Sequence, residues 1–129
     1  MIIRNLKNSA AEDRLVKSNG WESNRLLLKS DGVGFSFHIT HIYPGAKLYM
    51  HYQHHIEAVY CIRGTGEIED MANNEIHPIN PGTLYILNEH DKHILRAWSE
   101  LELACVFNPP LHGKEVHNAE GAFELIEPV

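Results

Sequence analysis

Histidine is the residue type that stands out in this sequence of 129 residues, which contains ten of them. Five of the ten lie between His38 and His55. The imidazole ring is the commonest metal ligand in proteins and the side chain most easily tuned as an acid or base near neutral pH. Tyr52 adds a phenol within this stretch, and Glu57 adds a carboxyl group two residues after it. These residue types predict metal binding or proton transfer.

The spacing of these residues predicts which of them can act together, because successive side chains of a strand point to opposite faces. His54 and His55 are adjacent, so only one of them can face a shared cavity, and we assign His55 to it. The segment before them alternates three apolar residues with three polar ones: Phe35, Phe37 and Ile39 against Ser36, His38 and Thr40. We therefore expect His38 and Thr40 to line a ligand cavity and His41 to point away from it.

Short strands must position these side chains. Turn signals such as Pro44-Gly45, Gly64-Thr65-Gly66 and Pro81-Gly82 separate eight runs rich in aromatic and β-branched residues. The runs are Val33 to Tyr43, Lys47 to Tyr52, Ile56 to Ile62, Glu67 to Met71, Glu75 to Ile79, Thr83 to Leu87, His93 to Ala97 and Leu101 to Phe107. They predict an all-β sandwich or barrel, and a small barrel can enclose one small molecule. The single helix prediction is Ser9 to Lys17, where Ser9 and Glu12 fit a capping box.

Length and composition limit the possible classes. Hydrophobic residues make up 43% of the 129 residues, which predicts one domain over residues 1–129. Acidic residues outnumber basic ones by 17 to 11, which argues against a nucleic-acid partner. The sequence contains no apolar run long enough for a signal peptide or a membrane span, so we expect a cytoplasmic protein without a membrane partner. Cys61 and Cys105 lie in apolar strand-like segments and are expected to be buried and reduced.

Two motifs resemble those of the cupin superfamily. The first runs from Gly45 through His51, Gln53, His55 and Glu57 to Gly64, and the second is Pro81-Gly82 followed by Tyr85 and His93. The resemblance implies a single-domain cupin-type, jelly-roll-like β-barrel. Gln53 and Tyr85 stand where a standard cupin has metal-binding histidines. The resemblance therefore implies a rearranged metal site made of Glu57, Tyr85 and His93.

Pairing geometry supports this ligand set. Tyr85 and His93 flank the polar turn at residues 88–91, so antiparallel pairing can bring them close together. A carboxylate, a phenolate and an imidazole suit a divalent transition metal with open positions, with Fe(II) expected and Zn(II) as the alternative. The tyrosine would have to ionise against an ordinary pKa of about 10, which a metal cation can enforce.

Beyond the two cupin motifs, three longer segments resemble the ectoine synthase family. They are the run His51-Tyr52-Gln53-His54-His55-Ile56-Glu57, the segment from Pro78 to His93, and Val106-Phe107-Asn108-Pro109-Pro110. The resemblance covers nearly the whole chain. It implies a lyase that cyclises N-γ-acetyl-2,4-diaminobutyrate to ectoine, a compatible solute, with loss of water. It also implies proton-transfer residues, which are Tyr52, His55 and Glu115 with roles unassigned. It implies substrate-binding residues, which are Trp21, Arg25, Thr40, Leu87, Phe107 and His117, and the alternation described above adds His38 to them.

Two alternatives remain open from the sequence: an iron cupin oxygenase, and a cupin that binds a small molecule as a sensor or storage protein. Tyr85 in a histidine position counts against the oxygenase. Residues 109–129 contain glycines and prolines that suit a mobile cover, so we expect a C-terminal lid that brings Glu115 and His117 to the substrate. We also expect a homodimer in which the apolar segment Ile2 to Leu6 covers a sheet edge.

Overall fold

Ten antiparallel strands make up almost all of the regular structure in a computed structural model that describes residues 1–116. The strands are β1 (Leu15–Ser18), β2 (Trp21–Leu27), β3 (Ser36–Ile42), β4 (Lys47–His51), β5 (Ile56–Arg63), β6 (Gly66–Asp70), β7 (Glu75–Ile79), β8 (Leu84–Leu87), β9 (Lys92–Ala97) and β10 (Leu101–Asn108). Two 3-10 turns lie at Leu6–Asn8 and Lys29–Asp31. Within the described residues, no helix is long and apolar enough to cross a membrane. The all-β prediction is confirmed.

The strands form two facing sheets. One has six strands in the order β1-β2-β3-β10-β5-β8, and the other has four in the order β4-β9-β6-β7. Apolar side chains from the inner faces of both sheets make up one core, which includes Ile42, Val59, Ile68, Ile79, Leu95, Leu101, Leu103 and Phe107. Each of the eight predicted runs corresponds to one strand from β3 to β10.

The predicted helix from Ser9 to Lys17 is wrong. Residues 9–13 form turns, and Leu15–Ser18 is strand β1, which pairs with β2. The Ser9 hydroxyl lies within hydrogen-bond distance of the carbonyl of Leu6 and of Oδ1 of Asn24, so it does not cap a helix. Pairing with β2 gives one edge of this segment backbone hydrogen-bond partners, which outweighs a weak local helix preference. Strand β2 itself was not predicted.

Both ends of the described chain are fastened beside strands β2 and β3. The Asp31 carboxylate accepts hydrogen bonds from Arg4 at 2.6 Å, from Arg14 at 3.3 Å and from the Leu28 N–H at 2.8 Å. On the C-terminal side, the Lys29 N–H donates to the Leu111 carbonyl at 2.8 Å, and the Leu111 N–H donates to the Ser36 hydroxyl at 3.1 Å. The two terminal segments therefore brace the strands that carry Arg25 and His38.

Strand β3 turns its polar face inward. Ser36 and His38 are buried, and Phe37 and Ile39 on the opposite face are only partly covered. His41, which was expected to point away, contacts Glu102 on neighbouring strand β10 at 2.9 Å. A polar face can be buried here only because hydrogen-bond partners or a ligand offset its loss of water.

Gly64, the last residue of the first motif, lies in close contact with the chain just before β10. Its φ is +95°, and a Cβ atom there would overlap the carbonyl oxygen of Glu100. Gly82 has a similar φ of +96°, but a Cβ atom added to it would meet no other atom within 4 Å. We expect Gly64→Ala to lower the free energy of unfolding by at least about 3 kcal/mol, and Gly82→Ala by about 1 kcal/mol from backbone strain alone. Urea denaturation measures both, and equal losses would contradict the overlap.

Candidate active site

A central cavity lies between the two sheets, and its lining is polar at both ends. It is bounded by inward side chains of both sheets: Trp21, Ser23, Arg25, His38, Thr40, Ile42, Leu48, Met50, Tyr52, Glu57, Val59, Tyr85, Leu95, Leu103, Cys105 and Phe107. The strands place them there by alternation, as with every second residue of β2 from Trp21 to Arg25. This lining includes most of the sequence-predicted site residues, namely Trp21, Arg25, His38, Thr40, Tyr52 and Phe107, together with the predicted metal ligands Glu57 and Tyr85.

Glu57 supplies a buried carboxyl group to the cavity. It lies near the start of β5 and is only 6% exposed. Burial raises its pKa from 4.5 to about 8, and a hydrogen bond with Cys105 offsets only part of that rise. Because a carboxylate without water is costly, this position favours either a proton or a cation beside it.

Tyr85 lies close to Glu57 on the neighbouring strand. In the β5–β8 register Tyr85 is opposite Val59, and Glu57 is opposite Leu87, so Tyr85 is diagonal to Glu57 on the same inner face. Burial and then the nearby Glu57 raise the pKa of Tyr85 well above its ordinary value of 10.0. The protein alone therefore keeps this phenol protonated, and only an added positive charge would ionise it.

His93 lies on β9 in the facing sheet, so the expected antiparallel pairing with the strand of Tyr85 is wrong, because the chain crosses between sheets at the turn. One of its ring nitrogens is available to bind a ligand. Its Nδ1 donates to the carbonyl of Asp91 at 2.9 Å, which leaves the lone pair on Nε2. Nε2 is buried and has no hydrogen-bond partner among residues 1–116. Burial lowers the pKa of His93, so the ring is neutral. A backbone carbonyl that fixes the tautomer of a metal-binding histidine is a common arrangement.

Tyr85 shares a cavity with each of the other two candidate ligands. It lines the central cavity together with Glu57, and it lines the adjoining cleft beside β8 together with His93. Within residues 1–116, histidine, cysteine, aspartate and glutamate side chains alone form no group of three suited to a metal. The set depends on the tyrosine. An acceptor lone pair on His93 and two oxygens that a cation would ionise fit a divalent metal.

Arg25 forms the other polar end of the cavity. Its side chain is 0% exposed, and burial lowers its pKa to about 10 despite the nearby Glu115, so it stays charged at neutral pH. Its Nη2 donates to the backbone carbonyl of Glu115 at 2.6 Å, and its Nη1 lies 3.7 Å from Oε1 of the same residue. Arg25 is thus a buried strand residue that can bind an anion, rather than a surface or helix arginine.

Glu115 is bound by backbone groups. Its carboxylate accepts from the N–H groups of His112 at 2.6 Å and Gly113 at 2.7 Å. Burial acts to raise the pKa of Glu115, but these N–H groups and its own outweigh it and hold the pKa below its ordinary value. In this arrangement Glu115 is a weak base that secures residues 112–116 against Arg25.

Tyr52 and His55, the other proton-transfer candidates, differ in position. Tyr52 is buried, donates to Sδ of Met50 at 3.2 Å and has its ring centroid 5.8 Å from that of His93. Burial raises the pKa of Tyr52 well above 10.0, so it is a proton donor. His55, expected to face the cavity, is buried but is not among the residues that line it; its ring is edge-on to Phe107 at 6.0 Å, while His54 is exposed. Burial lowers the pKa of His55, which leaves a neutral ring able to accept a proton.

The remaining substrate-binding predictions fall in three places. Trp21, Thr40, Phe107 and His38 line the cavity, with the His38 ring 5.2 Å from that of Phe107. Leu87 is buried opposite Glu57 and borders the adjoining cleft. His117 lies outside the described residues. Ser23, Met50 and Cys105 also line the cavity and were not predicted.

Comparison with known proteins identifies the family. The sequence profile of ectoine synthase matches residues 1–127. The L-ectoine synthase of Teredinibacter turnerae is 61% identical over 127 residues, covering 97% of this chain and 96% of the relative. The chain belongs to the ectoine synthase family. The expected enzyme class, a hydro-lyase that forms ectoine, is confirmed by this relationship.

Solved structures confirm the fold as well. Ectoine synthase from P. lautus superimposes with a TM-score of 0.88 at 46% identity, covering 100% of this chain and 93% of that one. A cupin domain of a transcriptional regulator from Enterobacter cloacae superimposes with a TM-score of 0.60 at 18% identity, covering 71% of this chain and 99% of that one. The latter shows a shared cupin fold alone. Membership in the ectoine synthase family favours a lyase over the oxygenase and sensor alternatives.

The raised pKa of Glu57 predicts how the metal-free protein responds to pH. A folded-state pKa of about 8 against 4.5 means that the folded state binds the proton more tightly, so stability falls as pH rises between these values. We expect Glu57→Gln, which cannot ionise, to gain roughly 3–5 kcal/mol relative to the wild type between pH 5 and pH 8. Denaturation of chelator-treated protein at several pH values measures this difference. A constant difference would contradict a buried, proton-binding Glu57.

Proposed function

We propose that this chain converts N-γ-acetyl-2,4-diaminobutyrate into ectoine and water inside the central cavity. The α-amine attacks the acetamide carbonyl carbon, forming the ring C–N bond. The carbonyl oxygen then takes up two protons and leaves as water. The two ring nitrogens together lose two protons, which gives the cyclic amidine. The observation that carries this proposal is the full-length relationship to L-ectoine synthases. The polar lining of the cavity gives the reaction the groups it needs.

Glu57, Tyr85 and His93 would hold a divalent metal, for which we propose Fe(II), with Zn(II) as the alternative. When bound, such a metal supplies a Lewis acid for the amide oxygen, which is otherwise attached to a poor electrophile. The support is the chemistry of the three donors, above all the unpartnered Nε2 of His93 and the raised pKa of Glu57. Without a cation, the Glu57 carboxyl would stay protonated and Nε2 of His93 would be a buried nitrogen without a hydrogen-bond partner.

Proton transfer falls to groups beside this site. The attacking amine must be unprotonated, and the departing hydroxyl must gain a proton. We assign the base to His55, whose burial favours a neutral ring, and the donor to Tyr52, whose phenol stays protonated and lies next to His93. In this proposal Glu115 does not transfer protons itself, because its carboxylate is held by backbone N–H groups beside Arg25.

Arg25 is the candidate partner for the substrate carboxylate. Its planar guanidinium suits a carboxylate, and it remains charged although it is buried. Trp21, Thr40, Leu87 and Phe107 would then fold the flexible substrate so that amine and carbonyl meet, while keeping water away. This arrangement places the carboxylate at one end of the cavity and the amide at the other.

We also propose that residues 109–129, of which 117–129 lie outside the described residues, form a C-terminal lid over the cavity. Residues 109–116 already pack against β2 and β3, with Leu111 fully buried and Glu115 touching Arg25. The cavity between these side chains has a volume of about 40 Å³, which is room for a few waters and smaller than the substrate. Admission of substrate therefore requires side chains around the cavity to move, and the contact between Glu115 and Arg25 is the one that an entering carboxylate would compete with.

We propose further that the chain is a cytoplasmic homodimer. Cys61 and Cys105 are both free and buried, in keeping with a reducing compartment. Ile2 and Ile3 are 48% and 84% exposed, and β8 is an edge strand with Leu84 and Ile86 at 58% and 51%. An exposed apolar terminal segment and an exposed apolar edge are complementary across a two-fold axis.

Catalysis is tested by incubating purified protein with Fe(II) and N-γ-acetyl-2,4-diaminobutyrate and detecting ectoine by chromatography or NMR. We expect Glu57→Ala and His93→Ala to lose both bound metal and at least about 99% of turnover, because each removes a metal ligand, while circular dichroism stays β-rich. The matched control is His54→Ala, an exposed neighbour of the same motif, which should keep both. Wild-type protein that makes no ectoine with either metal would refute the proposal.

The dimer is tested by light scattering at micromolar concentration. We expect the wild type to have twice the mass of the chain and Ile86→Arg to be monomeric, because a charge would be buried in the interface. Ile76→Arg is the control, since Ile76 is similarly exposed, at 56%, on the edge strand of the other sheet. A monomeric wild type would contradict the arrangement.

A further inference from the structure

Ser23 connects Arg25 and His38 at the end of the cavity where we propose that the substrate carboxylate binds. It lies on the inner face of β2 between Trp21 and Arg25 and is 2% exposed. In the β2–β3 register Arg25 is opposite His38, and Ser23 is opposite Thr40. The Ser23 hydroxyl lies 3.4 Å from Nε of Arg25 and 3.4 Å from Nδ1 of His38. The three side chains form a continuous line from a charged donor to an imidazole.

The direction of these hydrogen bonds follows from the chemistry of their ends. A guanidinium can only donate, so the Ser23 oxygen accepts from Arg25. The hydroxyl has one proton left to donate, and within residues 1–116 its one further partner is Nδ1 of His38. If His38 donated instead, the buried serine would receive two protons and have no acceptor for its own. Nδ1 of His38 is therefore the acceptor.

This assignment places the ring proton of His38 on Nε2. His38 is 2% exposed and lines the cavity, and its Nε2 has no hydrogen-bond partner among residues 1–116. Burial and the charge of Arg25 hold the pKa of His38 well below its ordinary value, so the ring is neutral and has one N–H. A buried N–H group without a partner indicates that an acceptor belongs beside it.

We propose that Ser23 is a positioning residue that fixes His38 in its Nε2–H tautomer, so that His38 donates one hydrogen bond to the substrate carboxylate next to Arg25. This inference rests on the proposed function, which supplies the carboxylate. Arg25 and His38 are opposite each other on adjacent strands, so one carboxylate can accept from both. A neutral donor adds a bond here without a second buried charge.

The kinetics of the Ser23→Ala variant test whether Ser23 fixes the tautomer of His38. Without the hydroxyl, the ring can adopt the other tautomer and present a lone pair to the carboxylate. We expect KM for the acetylated diamine to rise roughly tenfold or more, the loss of one hydrogen bond to a charged group, with kcat changed less than about threefold. Ser23→Thr keeps the hydroxyl and should restore KM to within about threefold of the wild type.

A double mutant separates positioning from packing. The amide of glutamine can donate from a position close to that of Nε2 and has no tautomers. In a His38→Gln background, Ser23→Ala should therefore change KM less than about threefold. The same tenfold effect in both backgrounds would show that Ser23 acts through something other than His38 and would overturn the proposal.

The tautomer can be read without any activity measurement. Nitrogen NMR on Zn(II)-supplemented protein with labelled histidine, assigned by comparison with His38→Gln, should show Nε2 protonated and Nδ1 bare in the wild type. An Nδ1–H tautomer in the wild type overturns the inference, even if Ser23→Ala proves unable to fold. A wild type that makes no ectoine would refute the proposed function and leave this tautomer result standing. An active wild type whose Ser23→Ala variant has unchanged KM would refute the inference alone.

Discussion

The burial of ionisable groups between two sheets is the constraint on which the rest of this structure depends. Glu57 and Arg25 both face the interior between the sheets. Burial raises the pKa of Glu57 and lowers the pKa of Arg25, so it favours the neutral form of each group. Each must be offset by a partner, since an unpaired buried charge costs several kcal/mol. Arg25 has the backbone carbonyl of Glu115. The partner that lowers the pKa of Glu57 is a thiol, that of Cys105, and this weak donor does not offset the burial. Glu57 therefore needs either a bound proton or the cation that we propose beside it.

The terminal segments make sense as supports for these groups. Strand β2, which carries Arg25 and Ser23, is close to the edge of its sheet and is covered on one side by the short β1 alone. Asp31 binds Arg4 and Arg14 beside it, and the C-terminal segment closes over it through Leu111 and Glu115. A site placed near a sheet edge would otherwise admit water to the guanidinium. The extra segments provide a dry environment that the sandwich alone does not.

The fold was predictable wherever the period-two pattern was strong. Strands β3 to β10 follow alternation and glycine or proline turns, and the candidate ligands Glu57 and Tyr85 fall on inner faces as the alternation requires. Strands β1 and β2 were missed because β2 has polar residues on both faces, so its burial depends on tertiary partners such as Asn24 with Ser9. Missing β2 also hid Ser23. Once the strand is known, the spacing Trp21, Ser23, Arg25 puts all three on one face.

What alternation could not supply is the state of each group. The sequence places His55 and Glu115 as candidates for proton transfer, but only the three-dimensional contacts show that Glu115 is held by N–H groups while His55 is neutral and buried. The same contacts show that the cavity is polarised. Arg25 and His38 offer donors to the cavity, whereas Glu57 and Tyr85 offer oxygen atoms that suit a cation, with His93 in the adjoining cleft. Under the proposed function, a substrate with a carboxylate at one end and an amide at the other would bind in one direction only, because the reversed pose would place its carboxylate beside Glu57. In that proposal the polarity of the cavity, more than its shape, sets the orientation in which the ring closes.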